Sequence, residues 1–268
     1  MTATAPRQPT LFVSHGAPSF ALDPGMAGPR LTALGQRLPR PTAVLVVSPH
    51  WTTATPVVGA VASPETIHDF GGFAPALYQL TYPAPGHPAL AEQAAQALAA
   101  AGWPVRVDSR RGLDHGAWVP LMHLFPEADV PVFQVSLPAQ LDAERAWALG
   151  RALAPLAEQG VLIVGSGSLT HNLYEFRGGH GDDEPYVQAF AAWVREAAEQ
   201  ADGVRLRRTL VDAPDAQRAH PTAEHFWPLL VAAGASDTGS GPAPASVVEG
   251  GIAHGMLAMD SYVFGPVG

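Results

Sequence analysis

Histidines close four short motifs spread along the chain: Ser14-His15-Gly16, Ser48-Pro49-His50-Trp51, Ser168-Leu169-Thr170-His171 and Glu224-His225. Imidazole is a borderline ligand suited to zinc, copper, iron or nickel, so neutral histidines gathered from several loops can hold one ion. Thr10-Leu11-Phe12-Val13 and Ala43-Val44-Leu45-Val46-Val47 are apolar, largely β-branched runs that stop at Ser, Gly or Pro. That is the pattern of buried parallel strands running into loops. His15 and His50 therefore fall just past the carboxyl ends of two strands, the edge at which open α/β sheets bind ligands. Taken singly, a histidine at a strand end more often bonds to backbone than to a metal. The repetition of the pattern is what points to a shared ion.

Two further motifs add to the set. Gly112-Leu113-Asp114-His115-Gly116-Ala117-Trp118 and Gly165-Ser166-Gly167-Ser168-Leu169-Thr170-His171-Asn172 place His115 and His171 in loops after strands, where Asp114 or Asn172 would orient a ring through hydrogen bonds. The Gly-x-Ser-x-Gly spacing of a nucleophile elbow is not met, which argues against a serine hydrolase. Thr222-Ala223-Glu224-His225 follows Pro221 and precedes the apolar Phe226-Trp227-Pro228-Leu229-Leu230. This predicts a helix capped by Thr222, with His225 in a first turn whose positive end keeps the ring neutral. Glu224 is the competing ligand. Adjacent residues diverge around a helix, so only one of the two faces a given site, and capping is the other reading of Glu224.

The elements that position these residues alternate. Strand-like runs at 11–13, 44–47, 57–61, 105–108, 132–135 and 161–164 are interleaved with helical stretches at 87–101, 141–159, 184–201 and 223–233, most of them stopped by glycine. Residues 132–164 read as a strand-helix-strand crossover. The fold expected is an α/β sandwich, a central largely parallel or mixed sheet flanked by helices, in one catalytic domain over residues 1–268 with a short flexible N-terminus at 1–9. Residues 63–88, rich in Gly, Pro and aromatics, read as a lid or pocket wall, with Phe70, Phe73, Tyr78 and Tyr82 offering faces to an aromatic substrate. Residues 236–246 read as a flexible polar loop.

Composition excludes several classes. The formal charge of −9 with 15 Lys plus Arg, and no basic cluster beyond Arg205-Leu206-Arg207-Arg208, argues against nucleic acid as a partner. The chain has no cysteine, which removes disulfides, thiolate metal sites and cysteine nucleophiles and fits a cytoplasmic protein. No secretory signal is visible, and no run approaches the roughly eighteen apolar residues of a membrane span.

Seven motifs in order carry a family resemblance: Ser14-His-Gly-Ala-Pro-Ser19, Ser48-Pro-His-Trp51, Ile67-His-Asp-Phe-Gly-Gly-Phe73, Tyr82-Pro-Ala-Pro-Gly86, Gly112-Leu-Asp-His-Gly-Ala-Trp118 with Val119-Pro-Leu121, Gly165-Ser-Gly-Ser-Leu-Thr-His-Asn-Leu173, and His220-Pro-Thr-Ala-Glu-His-Phe-Trp-Pro-Leu-Leu230. Together they resemble the class III extradiol ring-cleavage dioxygenases, in the DOPA 4,5-extradiol dioxygenase branch, over nearly the whole chain. The resemblance implies a metal held by His15, His50 and His225. It places His171 close to that metal, as acid and base or as a fourth ligand, and His115 in the same pocket. Relatives that cleave protocatechuate use two histidines and a glutamate, and this chain offers His225 at the third position with Glu224 beside it. Fe(II) is the cofactor expected for catalysis, and a three-histidine site also suits zinc.

The implied partners are a small catechol and O2, with self-association left open. The implied reaction opens the catechol ring, His171 taking a proton from the bound substrate and His171 or His115 returning one. His68, with Phe70 and Phe73, is placed against substrate, a loop-stabilising hydrogen bond being the other reading of His68. His220 is expected to support His225, and His87, His123, His180 and His254 to be structural or solvent-facing. A zinc-dependent hydrolase built on the same cluster, and a non-catalytic metal-binding or partner-binding member of the fold, are the competing functions.

Overall fold

A computed structural model describes residues 7–176 and 184–267. The six expected strands are present as β1 (Thr10–Ser14), β2 (Ala43–Thr53), β3 (Val57–Gly59), β4 (Arg106–Asp108), β5 (Val132–Pro138) and β6 (Val161–Gly167). Four short ones that the sequence reading leaves out follow: β7 (Ala245–Val248), β8 (Ile252–Ala253), β9 (Leu257–Ala258) and β10 (Ser261–Phe264). β8 and β9 pair with each other, and the other eight strands form one sheet in the order β4-β3-β5-β2-β6-β1-β10-β7. Its centre, β5-β2-β6-β1, is parallel, while β3, β10 and β7 are added antiparallel. The sheet is therefore mixed around a parallel, fully buried middle, as the unbroken apolar runs require.

Among the described residues eight α-helices flank it: α1 (Ala27–Arg37), α2 (Pro88–Ala100), α3 (His115–Leu124), α4 (Ala143–Leu153), α5 (Pro185–Glu199), α6 (Gly203–Asp212), α7 (Ala216–Ala219) and α8 (Trp227–Ser236). Successive residues of β6 face opposite layers. A Cβ on Gly165 would lie 2.0 Å from the Pro228 carbonyl oxygen of α8, whereas Ser166 reaches Gly116 in α3. Glycine is thus what lets α8 lie directly on the sheet. α1 is absent from the helices expected from sequence, and Gly35 within it serves packing: a Cβ there would meet the Leu124 carbonyl oxygen at 1.9 Å, so the glycine permits close approach of α1 to α3.

Several expectations need correction. His115 opens α3 instead of lying in a loop. That helix is apolar all round because it is buried, so it has no amphipathic period to read. α8 starts at Trp227, not at 223, and Thr222 does not cap it. Pro228 sets this start, because it has no N–H to donate and its ring would clash with a carbonyl four residues earlier in a longer helix. Helix 141–159 stops at Leu153 and finishes as a 3-10 helix (Ala154–Gln159), the change coming where Pro155 cannot donate. At the N-terminus residues 1–6 lie outside the described residues, and Gln8 is buried with its amide hydrogen-bonded to the Ala157 carbonyl. The polar loop 236–246 is tied down, the Asp237 carboxylate accepting from the Gly239 and Gly241 amides. No described helix is long and apolar enough to cross a membrane.

Candidate metal centre

Each histidine reaches the carboxyl edge of the sheet by a different local device. His15 is the first residue past β1, its amide bonded to the Gly167 carbonyl of β6. His50 sits where the pairing of β2 with β5 slips between Ser48 and Thr52, an irregularity that re-aims side chains. His115 is the first residue of α3. His171 lies in the loop after β6, and its amide is bonded to Ala219 O. His225 is in the turn before α8, and its carbonyl accepts the Ser168 amide. A Cβ on Gly167 would lie 2.3 Å from that His225 carbonyl oxygen, so only glycine lets the turn come this close.

These devices bring all five rings together. The ring centroids of His15 lie 5.0 Å from His50, 5.6 Å from His115 and 5.5 Å from His225. His50 is 3.9 Å from His115 and 5.1 Å from His225, and His171 stacks on His225 at 3.5 Å with the planes 11° apart. Among the described residues two ligand groups are close enough to hold an ion, His15 with His50 and His115, and His171 with Glu224 and His225. The Nε2 atoms of His15 and His50 are 3.2 Å apart. Imidazole nitrogens sit about 2.0–2.1 Å from zinc, which puts two of them on one ion roughly 3 Å from each other.

The donor count fixes the His15 tautomer. Pro120, inside α3, has no N–H for the Gly116 carbonyl four residues before it. The Ser166 hydroxyl donates to that carbonyl instead. With its one proton committed, Ser166 can only accept from His15 Nδ1, 2.9 Å away. His15 therefore carries its proton on Nδ1 and presents a bare Nε2 to His50. Two ring nitrogens 3.2 Å apart then need a proton or a cation between them. Burial, followed by repulsion from His50, His225, His115 and His171, pushes His15 well below the ordinary imidazole range. Burial and then His171 do the same to His225. Both rings are neutral, as metal ligands must be, and the cause is burial among other imidazoles, not the helix dipole expected from sequence.

On the far side, Glu224 Oε1 accepts from the Thr222 hydroxyl at 2.9 Å and lies 3.3 Å from His225 Nδ1. His220 does not reach His225. Its Nε2 bonds the Leu169 carbonyl at 2.9 Å and so braces the loop that carries His171. Asn172 and Asp114 do not orient rings either. Asn172 donates to the Arg218 carbonyl, and Asp114, fully buried, accepts from the Gln134 amide at 2.8 Å. Arg111 joins that network to the site by donating to the His50 carbonyl at 3.1 Å.

The loop over residues 63–88 packs against the cluster. Asp69 Oδ1 accepts the His115 amide at 2.9 Å and Oδ2 lies 3.0 Å from His115 Nδ1 and 3.6 Å from His50 Nδ1. Phe70 stands edge-on to His115 with centroids 5.6 Å apart, and Phe73 packs on Phe70. His68 takes the loop-stabilising role: its Nε2 bonds the Leu80 carbonyl at 3.0 Å. Tyr82 is turned into the core, donating to the Phe125 carbonyl, and offers no face to a ligand. Trp118, buried in α3, ties the loop down through its indole N–H to the Ile67 carbonyl.

The chain as a whole is similar to proteins of known family. Residues 27–264 match the family model described as the catalytic LigB subunit of aromatic ring-opening dioxygenase. The chain belongs to this family. It is 40% identical over 259 residues to a Beta vulgaris protein named 4,5-DOPA dioxygenase extradiol, covering 95% of this chain and 96% of that one. An Escherichia coli K12 protein of the same name is 39% identical, with 97% and 95% covered. The crystal structure of an uncharacterized Escherichia coli K12 protein superposes with a TM-score of 0.79 at 33% identity, covering 97% of this chain and all of that one. Aromatic ring opening with dioxygen is accordingly the chemistry that this member of the LigB family serves.

Sequence reasoning brought the five histidines to one place and missed two of their partners. Ser166 lies within a glycine-rich segment, and the signal for it in the sequence is a polar residue soon after the apolar 161–164 run. Asp69 stands in the Ile67–Phe73 motif with nothing local in the sequence to link it to His115. His87 caps α2 and His123 bonds the Phe20 carbonyl, so both are structural, and His254 rests on Phe176. His180 lies outside the described residues.

Proposed function

We propose that the chain opens the ring of a DOPA-like catechol with O2, using one non-haem Fe(II) held by His15, His50 and His225. The observation that carries this reading is the 3.2 Å approach of His15 Nε2 and His50 Nε2 inside a cluster of five imidazoles. When bound, a redox-active divalent ion supplies Lewis acidity and a common site for catechol and O2. Zinc suits the same three histidines, and the chemistry of ring cleavage favours iron. The histidines around the ion do the remaining work. His171, stacked on His225, accepts a proton from one catechol hydroxyl, and His115, packed against His50, takes the other at its ring nitrogen and returns it to the opening ring. Phe70 and Phe73 hold the substrate ring, and the apolar wall they make keeps water from it.

The test is anaerobic reconstitution with Fe(II), followed by addition of DOPA and air-saturated buffer. The proposal expects a yellow ring-opened product from the iron form and none from the zinc form. Turnover of esters or amides by the zinc form without oxygen consumption would replace it with a hydrolase.

A further inference from the structure

Asp69 is placed to do more than fill a loop. Its two carboxylate oxygens divide their work on one neighbour: Oδ1 accepts the backbone N–H of His115, and Oδ2 faces the ring Nδ1 of the same residue. The backbone contact satisfies an N–H that, at the first position of α3, has no partner within the helix. The ring contact fixes chemistry, because a carboxylate can only accept and so places the imidazole proton on Nδ1. In the neutral ring this leaves Nε2 bare. Asp69 also lies 3.6 Å from His50 Nδ1, and its chain neighbour Phe70 contacts the His115 ring.

We propose that Asp69 is a positioning residue that selects the His115 tautomer, so that the loop supplying the aromatic wall also prepares the proton-transferring ring. This inference rests on the proton-transfer role given to His115 above. Without Asp69 nothing holds the ring proton on Nδ1. With it, the side chain meets substrate as a base, able to take a proton at Nε2 and give it back there.

Asp69→Asn separates this role from helix capping. The amide is nearly the same shape, and the His115 backbone N–H, a donor in every state, obliges the Asn oxygen to face it. The Asn NH2 must then face the ring and forces the opposite tautomer, with the proton on Nε2. We expect Asp69→Asn to keep its metal content and its melting temperature, with KM for the catechol changed less than about threefold. Its kcat should fall about a hundredfold, the usual scale for disabling a general acid or base. Asp69→Ala should lose as much rate and also melt lower, since the helix end is uncapped.

Ring-nitrogen NMR of the zinc-loaded full chain, above the imidazole titration range and with the His115 signal assigned by its loss in His115→Gln, reads the tautomer without any turnover. The expected result is Nδ1–H in the parent and Nε2–H in Asp69→Asn. An unchanged tautomer, or an Asp69→Asn enzyme that cleaves at the parent rate, overturns the proposal. A parent protein that opens no catechol would instead sink the ring-cleavage reading, while the NMR comparison would still decide whether Asp69 sets the ring.

Discussion

Ser166→Ala should weaken metal binding without unfolding the chain. It leaves His15 Nδ1–H and the Gly116 carbonyl without their shared partner, and partners of this kind are worth about 10–100-fold in affinity. Competition with a coloured chelator measures it, and parent-like affinity would break the inferred proton chain from Pro120 to His15. The ligand set is tested the same way. His225→Ala should empty the site and Glu224→Ala should leave it filled, because the Glu224 carboxylate is already engaged by Thr222 and by the ring it would compete with. The reverse pattern of metal contents would make the site a two-histidine, one-carboxylate triad. His171→Gln should retain metal and lose about a hundredfold in cleavage rate. Stoichiometric metal loss in that variant would make His171 a ligand instead. The histidines were legible at this scale because their side-chain chemistry announces itself, whereas Asp69 and Ser166 act through partners 46 and 151 residues away.

The loop 63–88 is the element on which substrate handling depends. Gly71 and Gly72 at its tip have open space around them, while Trp118 anchors its start through the Ile67 carbonyl. Trp118→Phe removes that donor and should cost about 1–2 kcal/mol. It should also speed proteolytic cutting within 63–88, and saturation with a catechol analogue should slow cutting in the parent. A cutting pattern indifferent to both would reduce the loop to a packed surface segment. The parallel strands of the sheet centre could be read because burial on both faces leaves unbroken apolar runs. α1, α3 and the true start of α8 could not, because their deciding features are long-range. Gly35 is needed for contact with Leu124, α3 is enclosed on every side, and Pro228 moves the start of α8 past His225.

At the scale of the molecule, gathering neutral imidazoles in a buried place makes stability depend on pH. Burial lowers His220 to about 4, against about 6.5 in an unfolded chain, and the direction is the same for His15 and His225. Between those values the unfolded chain binds protons that the folded one does not. Stability is therefore fully present above about pH 6.5 and is lost on acidification, at up to about 1.4 kcal/mol per pH unit for each such histidine. The melting temperature of chelator-treated protein should fall steeply over this range, and His220→Gln, which can still donate to the Leu169 carbonyl, should flatten the fall. A melting temperature indifferent to pH there would mean that the rings are not buried as neutral groups. The proposed centre draws on residues of two potential ligand groups, His15 with His50 and His115 and His171 with Glu224 and His225, for a single ion. Titration of the metal-free protein with Fe(II) under anaerobic conditions, each point then assayed for oxygen uptake with DOPA, tests that most directly. The expected curve rises linearly and breaks at one equivalent per chain. A break at two equivalents, or a saturated site that takes up no oxygen, would contradict it.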